Sequence, residues 1–312
     1  MPAHGSQQSR AYVAAHFALE LDGNREVGLF KSVEGGGVKT DLIKYQLAGD
    51  HKTYLRLGKP KYEDIKVQVG MAMSEPFYNW VSSFFSGLPD RKNGAIVAGD
   101  FHYKERARRE FFDAMISEVV FPKLDGADKN PCYMGVTISP ERLEYKKPGG
   151  QTIRQAERTG QQKLWAACNF RFELKGFEDA TRRVTKVDSF TLKQKPIEHW
   201  VGGARGPVKT PGRIEYPNVV FYLPESNAWP FVDYHQKRVI GGQNQAPARL
   251  EGQITTLDAE GNELFTVELA GCEIFNITHD KSDASSEEIK QVKVEICVER
   301  MAFTYMQIEI ED

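Results

Sequence analysis

Gly35-Gly-Gly-Val-Lys-Thr40 is the stretch whose residue types come nearest to a phosphate loop, in which backbone N–H groups cradle the anion and a lysine neutralises it. The G-x-x-x-x-G-K-[ST] pattern needs Lys directly after its last Gly, and here Val38 intervenes. The residues that follow alternate like a strand, so no helix N-terminus faces the phosphate, and the reading is rejected. Gly202-Gly-Ala-Arg-Gly206 is likewise a loop without dinucleotide spacing. His4, His16, His51, His102, His199, His235 and His279 are scattered, with no H-x-x-x-H pair to put two imidazoles on one helix face for zinc. Asp280, Asp283, Glu287 and Glu288 make an acidic loop that lacks the spacing and central glycine of a calcium site. There is no G-x-S-x-G elbow. Asn276-Ile-Thr278 matches a glycosylation sequon, a short pattern that carries no weight without a signal peptide. The expectation is a protein with no catalytic residues, no cofactor and no metal.

Composition narrows the classes further. Forty-one basic against 43 acidic residues give no net field that argues for nucleic acid or an anionic membrane as partner. Cys132, Cys168, Cys272 and Cys297 stand far apart with no C-x-x-C spacing, which fits a reduced interior better than a disulfide framework. The first 16 residues have no sustained apolar run of the kind a secretory signal needs, and no segment is long enough to cross a bilayer. Membrane insertion is therefore not expected.

The elements that would position any site come in two copies. Phe17-Ala-Leu-Glu-Leu-Asp-Gly23 returns as Phe170-Arg-Phe-Glu-Leu-Lys-Gly176, and Val136-Thr-Ile-Ser-Pro-Glu-Arg-Leu143 as Val294-Glu-Ile-Cys-Val-Glu-Arg-Met301. Val33 and Val187, Tyr62 and Tyr216, Phe77 and Phe231, and Phe121 and Phe275 are each 154 positions apart; only the last motif is displaced by 158, as if one late loop held four extra residues. A period of that size means two copies of one domain. The expected organisation is a tail over 1–11, a first domain over 12–147, a linker over 148–163 that is polar and partly helical after Thr152, and a second domain over 164–312.

Each copy opens on a period-two strand, and a second strand region runs through Tyr62, Ile65, Val67, Val69 and through Tyr216, Val219, Phe221, Leu223. Phe77, Trp80, Val81, Phe84 and Phe85 then recur at helical spacing after Ser74 and Pro76 and before Gly87, which predicts one amphipathic helix. A weaker version spans 226–241, with Phe231, Tyr234, His235 and Val239 on its apolar side. Phe77, Trp80, Phe84, Tyr216 and Phe231 are expected in the domain cores. Near each copy's end the apolar phase slips by one residue, at Pro140-Glu-Arg142 and Val298-Glu-Arg300, as a β-bulge or a corner between sheets requires. Glu-Arg there fits either an intersubunit ion pair or a local one.

Residues 34–59 fit neither core strand nor short turn. Two apolar-polar runs flank Ala48-Gly49-Asp50, which predicts a long β-hairpin carrying Lys39, Asp41, Ile43, Tyr45, Leu47, Tyr54, Leu55 and Leu57. Pattern alone leaves open whether it reaches another subunit or folds back on its own barrel. Its counterpart over 191–213 contains Pro196, Pro207 and Pro211 and is expected to pair less well. The fold class is mainly β with one helix per domain: two tandem antiparallel β-barrels or sandwiches.

In copy one, Phe17-x-Leu-x-Leu-Asp-Gly23, Phe30-Lys-Ser-Val-Glu-Gly-Gly36, Gly58-Lys-Pro-Lys-Tyr-Glu-Asp-Ile65, Trp80, Lys92-Asn-Gly-Ala-Ile96, Phe121-Pro122 and Ile138-Ser-Pro-Glu-Arg142 together resemble the phage tail-tube family of contractile tails and related injection systems. Copy two resembles a diverged member that keeps Tyr216, Phe275 and Val294-x-Ile-x-x-Glu-Arg300, loses the glycines at Val187-Asp-Ser189 and lacks Asn93-Gly94.

The resemblance implies a self-associating ring around a lumen, stacked into a tube through which DNA or protein passes. It also implies that the 34–57 hairpin contacts the adjoining ring, with sheath or baseplate proteins as further partners. Six domains per ring would need three such chains. The expected place is a virion tail or injection-system particle assembled from protein made in the cytoplasm. A tube-end ring (initiator, adaptor or terminator) is the neighbouring reading, and a tandem β-sandwich binding module the alternative of another class.

Overall fold

Alternation of apolar and polar residues builds the clearest strands, as at Ile65, Val67 and Val69, where every second side chain is buried and those between face solvent. The computed structural model describes residues 16–49, 51–71, 73–88, 90–153, 165–203, 206–243, 250–279 and 289–306. The expected tail, most of the linker, Asp50, the glycine-loop residues 204–205 and the acidic residues Asp280, Asp283, Glu287 and Glu288 lie outside the described residues.

Copy one runs β1 (His16–Leu21), β2 (Asn24–Phe30), β3 (Ser32–Gly35), β4 (Val38–Gln46), β5 (Thr53–Tyr62), β6 (Ile65–Val69), α1 (Glu75–Phe85), β7 (Lys92–Gly99), β8 (Glu105–Phe121), β9 (Leu124–Asp125), β10 (Met134–Ser139) and β11 (Arg142–Lys146). Copy two runs β12 (Phe170–Leu174), α2 (Glu178–Thr181), β13 (Lys186–Val187), β14 (Phe190–His199), β15 (Val208–Glu215), β16 (Val219–Pro224), α3 (Trp229–His235), β17 (Leu250–Leu257), β18 (Glu263–His279), β19 (Gln291–Cys297) and β20 (Arg300–Tyr305). The strands pair antiparallel in the order β2-β1-β7-β8-β10-β6-β3 in copy one and β12-β17-β18-β19-β16-β13 in copy two. The fold is mainly β, as expected, with one addition: the short helix α2 stands where copy one has β2.

Helix α1 begins after Ser74 with Pro76 in its first turn, and Gly87 at φ +71° ends it. Phe77, Trp80 and Phe84 are buried as expected, and Phe231 is buried in α3. Tyr216 departs from expectation: it is half-buried, because its hydroxyl reaches out of copy two to donate to the Phe85 carbonyl at 2.9 Å. Val239 departs too. The second helix ends at His235 and continues as a π-helical turn over Gln236–Ile240, which leaves Val239 and Ile240 52% and 76% exposed.

The predicted phase slip is a corner. Strands β10 and β11 pair with successive stretches of β8, and Glu141 N–H donates to the Phe112 carbonyl between them. Glu299 N–H donates to Ala270 in the same way. Arg142 pairs with Glu144, and Glu141 with Arg91 at 2.5 Å, so both charges are used inside the chain.

Strand register corrects the sequence alignment of the copies. Val136 pairs with Val119 and Val294 with Ile277, an offset of 158 on both strands. The extra residues therefore fall earlier, between the helix and the next strand, and Phe275 corresponds to Ser117, not to Phe121. Both Ser117 and Phe275 are the bulged residue skipped by the ladder. Likewise copy two does not lack the glycine of Asn93-Gly94. Gly94 pairs with Phe111 and Gly252 with Leu269, again at 158. A Cβ would lie 2.1 Å from the Glu20 carbonyl oxygen at Gly94 and 2.7 Å from that of Glu173 at Gly252. Close backbone approach keeps glycine in both copies.

The expected linker is anchored at its start. Glu105 N–H donates to Gln151 O, Ile153 N–H to Tyr103 O, and Ile153 is buried against Ala18, Ala95 and Val97.

Candidate assembly surfaces

The 34–57 hairpin is a two-stranded sheet of its own, β4 against β5, pairing Val38 with Tyr62 and Gln46 with Thr53. Its predicted residues come together there. Tyr45 and Tyr54 stack at 5.5 Å and are half-buried by each other, while Ile43, Leu47, Leu55 and Leu57 stay 51–75% exposed. Asp41 accepts from Lys61 at 2.9 Å, and Lys39 pairs with Glu63 near the base, holding that carboxyl below the usual carboxylate range. Exposed aliphatic side chains on a strand pair with open edges are unusual for a free surface. Of the two readings open from pattern, the hairpin is not folded onto its own barrel.

The two copies join sheet to sheet, which sequence reasoning did not locate. Phe190, Thr191, Leu192 and Lys193 of β14 pair with Phe121, Val120, Val119 and Glu118 of β8, and β13 pairs with β9. Phe121 and Phe190 stack at 5.1 Å over this seam, with Trp165 against Phe121. Helix α1 lies on the last strand of copy two. Tyr78 stacks on Tyr305 at 4.1 Å, Phe85 meets Phe303 at 5.3 Å, and Ser82 Oγ donates to the Phe303 carbonyl at 2.8 Å. Phe85 belongs to the predicted apolar stripe of α1, and sequence does not separate burial between domains from burial within one, since both have the same pattern.

The second hairpin pairs over six residue pairs against eight in the first, in line with its prolines. Pro196 stands directly opposite Pro211, next to a register irregularity between Gln194 and Pro196. Toward its tip it is clamped to copy one: Lys209, 4% exposed, donates from Nζ to Ser139 Oγ at 2.9 Å, its N–H donates to Glu141 Oε1 at 2.8 Å, and Arg91 donates to its carbonyl. Near the tip, Trp200 receives Lys59 of the first hairpin over its ring at 4.8 Å.

Among the described residues no group of three His, Cys, Asp or Glu side chains is placed to hold a metal ion, and no described helix is long and apolar enough to cross a membrane.

Two antiparallel β domains of one design, joined edge to edge and each carrying a helix and a long hairpin, make up the described chain. The chain belongs to the T4-like virus tail tube protein gp19 family, which matches it twice, over residues 13–144 and 166–302. Among solved structures, a chain of the extracellular contractile injection system PVC sheath-tube complex is 17% identical, covering 44% of this chain and 89% of its own at a TM-score of 0.35. A chain of the anti-feeding prophage cap, described as the tube terminating cap, is also 17% identical, over 48% and 97%, at 0.40. A chain of the anti-feeding prophage baseplate is 13% identical, over 45% and 93%, at 0.34. A search of curated proteins gave no match.

Proposed function

We propose that this chain is the ring-forming subunit of a phage-like tail tube or of the inner tube of a contractile injection system. Three copies close a ring of six tube domains, and rings stack through the β4–β5 hairpin around a channel for DNA or protein. The particle is a virion tail or an injection system, with sheath or baseplate proteins as outer partners. The family supplies the tube role.

The observation that carries the ring is the open pair of edges left at the ends of the chain. Inside the chain, residues 190–193 fill the edge of β8 at 118–121. By the offsets of 154 and 158, the corresponding pieces are Gly36, Gly37, Val38 and Lys39 of copy one and Asn276, Ile277, Thr278 and His279 of copy two. Among the described residues neither has a strand partner on that side. A junction of two different surfaces, repeated head to tail, closes into a ring when its rotation divides the circle.

Negative-stain electron microscopy and light scattering on the purified chain test this. Three-chain rings with a central hole are the expected result, and a persistent monomer at high concentration overturns it. Removal of 39–57 is expected to abolish stacking while rings and barrels persist. A specialised tube-end ring is the second reading, favoured by the clamp that ties the second hairpin to copy one, since an end ring stacks on one side only.

A further inference from the structure

Helix α3 and the π-helical turn after it carry an apolar stripe that no described residue covers. Trp229, Val239 and Ile240 are 65%, 52% and 76% exposed, with Val232 half-buried and Gln236 exposed between them. On strand β11, Tyr145 is 63% exposed, although the neighbouring Leu143 on the same face is buried. Neither observation has a cause among the described residues.

Duplication supplies one. By the offset of 154, Val232 of α3 and Gln236 and Val239 of the π-helical turn after it correspond to Tyr78, Ser82 and Phe85 of α1; by 158, Ala107, Tyr145 and Lys147 correspond to Phe265, Phe303 and Tyr305. Those six counterparts form the α1-on-β20 junction inside the chain, where Phe85 is 0% and Phe303 2% exposed. We infer that α3 docks on a second copy of this chain. Val232, Val239 and Ile240 cover Tyr145 and Ala107 of the next chain, and the Gln236 amide takes the place of the Ser82 hydroxyl as donor to the strand carbonyl.

The seam between chains is thereby chemically distinct from the seam within one. Inside, five aromatic rings meet, from Tyr78, Phe85, Phe265, Phe303 and Tyr305; between chains, two valines and an isoleucine meet one tyrosine, an alanine and a lysine. Less apolar area is covered, so the intrachain junction is permanent and the interchain one opens on dilution. This inference rests on the ring reading and names the helix surface that closes it.

Its test uses the full-length chain. Val239→Asp places a charge in the inferred seam at a site already open to water, and is expected to raise the concentration at which light scattering finds half of the chains assembled by at least about 100-fold, with an unchanged melting temperature. Phe101→Asp, at an exposed aromatic of copy one outside the seam, is the control and is expected to change neither. In a second arm, Val239→Cys and Tyr145→Cys in one chain that also carries Cys168→Ser and Cys297→Ser are treated with a short bis-maleimide. The expected product is a covalent series ending in a closed species, which either single variant fails to give. Assembly that tolerates Val239→Asp and shows no paired cross-link overturns the seam while the ring reading stands. A wild-type chain that never assembles overturns the ring reading, and the seam with it.

Discussion

Leu57→Ala is the sharpest single test of the first hairpin. Leu57 is 75% exposed, the most open of the hairpin aliphatics. The substitution removes three carbons, about 2.4 kcal/mol if all were newly buried at ~0.8 kcal/mol each. A quarter of that surface is already covered in the chain, so the barrel loses about 0.6 kcal/mol, or one to two degrees in melting temperature. The remaining three quarters, about 1.8 kcal/mol per chain, is available to a stacked neighbour. With three chains per ring the upper figure is about 5 kcal/mol per ring added, between a thousand- and ten-thousand-fold in the critical concentration for tube growth. Sedimentation of tubes against total protein reads that concentration, and calorimetry on the same samples reads the barrel. An unchanged critical concentration refutes the hairpin as the stacking contact. A melting temperature lowered by more than about five degrees refutes the premise that Leu57 is free of the barrel.

Three further outcomes are expected. Asp100 accepts N–H bonds from Lys104 and His102 and a pair with Arg106, which together hold its carboxyl below the usual range, the Lys104 N–H first among them. Its folded value lies below its unfolded one, so its contribution is complete above the unfolded pKa and lost as pH falls through the folded one; Asp100→Asn should flatten the acid limb of a stability-versus-pH curve. Asp113 sits at φ +49° where copy two has Gly271 at φ +67°, so Asp113→Gly should stabilise by about 0.5 kcal/mol after the glycine entropy cost, whereas Gly271→Ala should cost about 1–2 kcal/mol, as urea unfolding will show. Burial pushes the Cys132 thiol up to about 11 and Cys272 up to about 12, so maleimide labelling at pH 8 should reach Cys168 and Cys297 first and the buried pair only on unfolding.

Much of the architecture was legible because it is periodic. Phe17, Leu19 and Leu21, or Phe77, Trp80 and Phe84, state strand and helix by spacing alone, and steric and solvation rules act on neighbours along the chain. Register was not legible. Phe121 and Phe275 stand at the expected interval, yet the ladder skips Phe275 as a bulge, since a skipped residue costs nothing in sequence and shifts every later partner. The Asp100 and Asp258 turns were missed although each accepts two backbone N–H bonds in the same way, His102 and Lys104 in one, Glu260 and Asn262 in the other. The signal was the shared aspartate at an offset of 158, hidden while 154 was used.

By itself the sequence determined that this is a duplicated, mainly β, tube-family chain with a long first hairpin, because composition, period and motif are local and survive without coordinates. Only the tertiary structure decided that copy two continues the sheet of copy one, that Lys209 and Glu141 clamp the second hairpin, and that Tyr145 and Val239 are left open where their counterparts Phe303 and Phe85 are closed. Burial is a property of what stands opposite a residue, and in a duplicated chain the same position can face its own second copy or nothing within the chain.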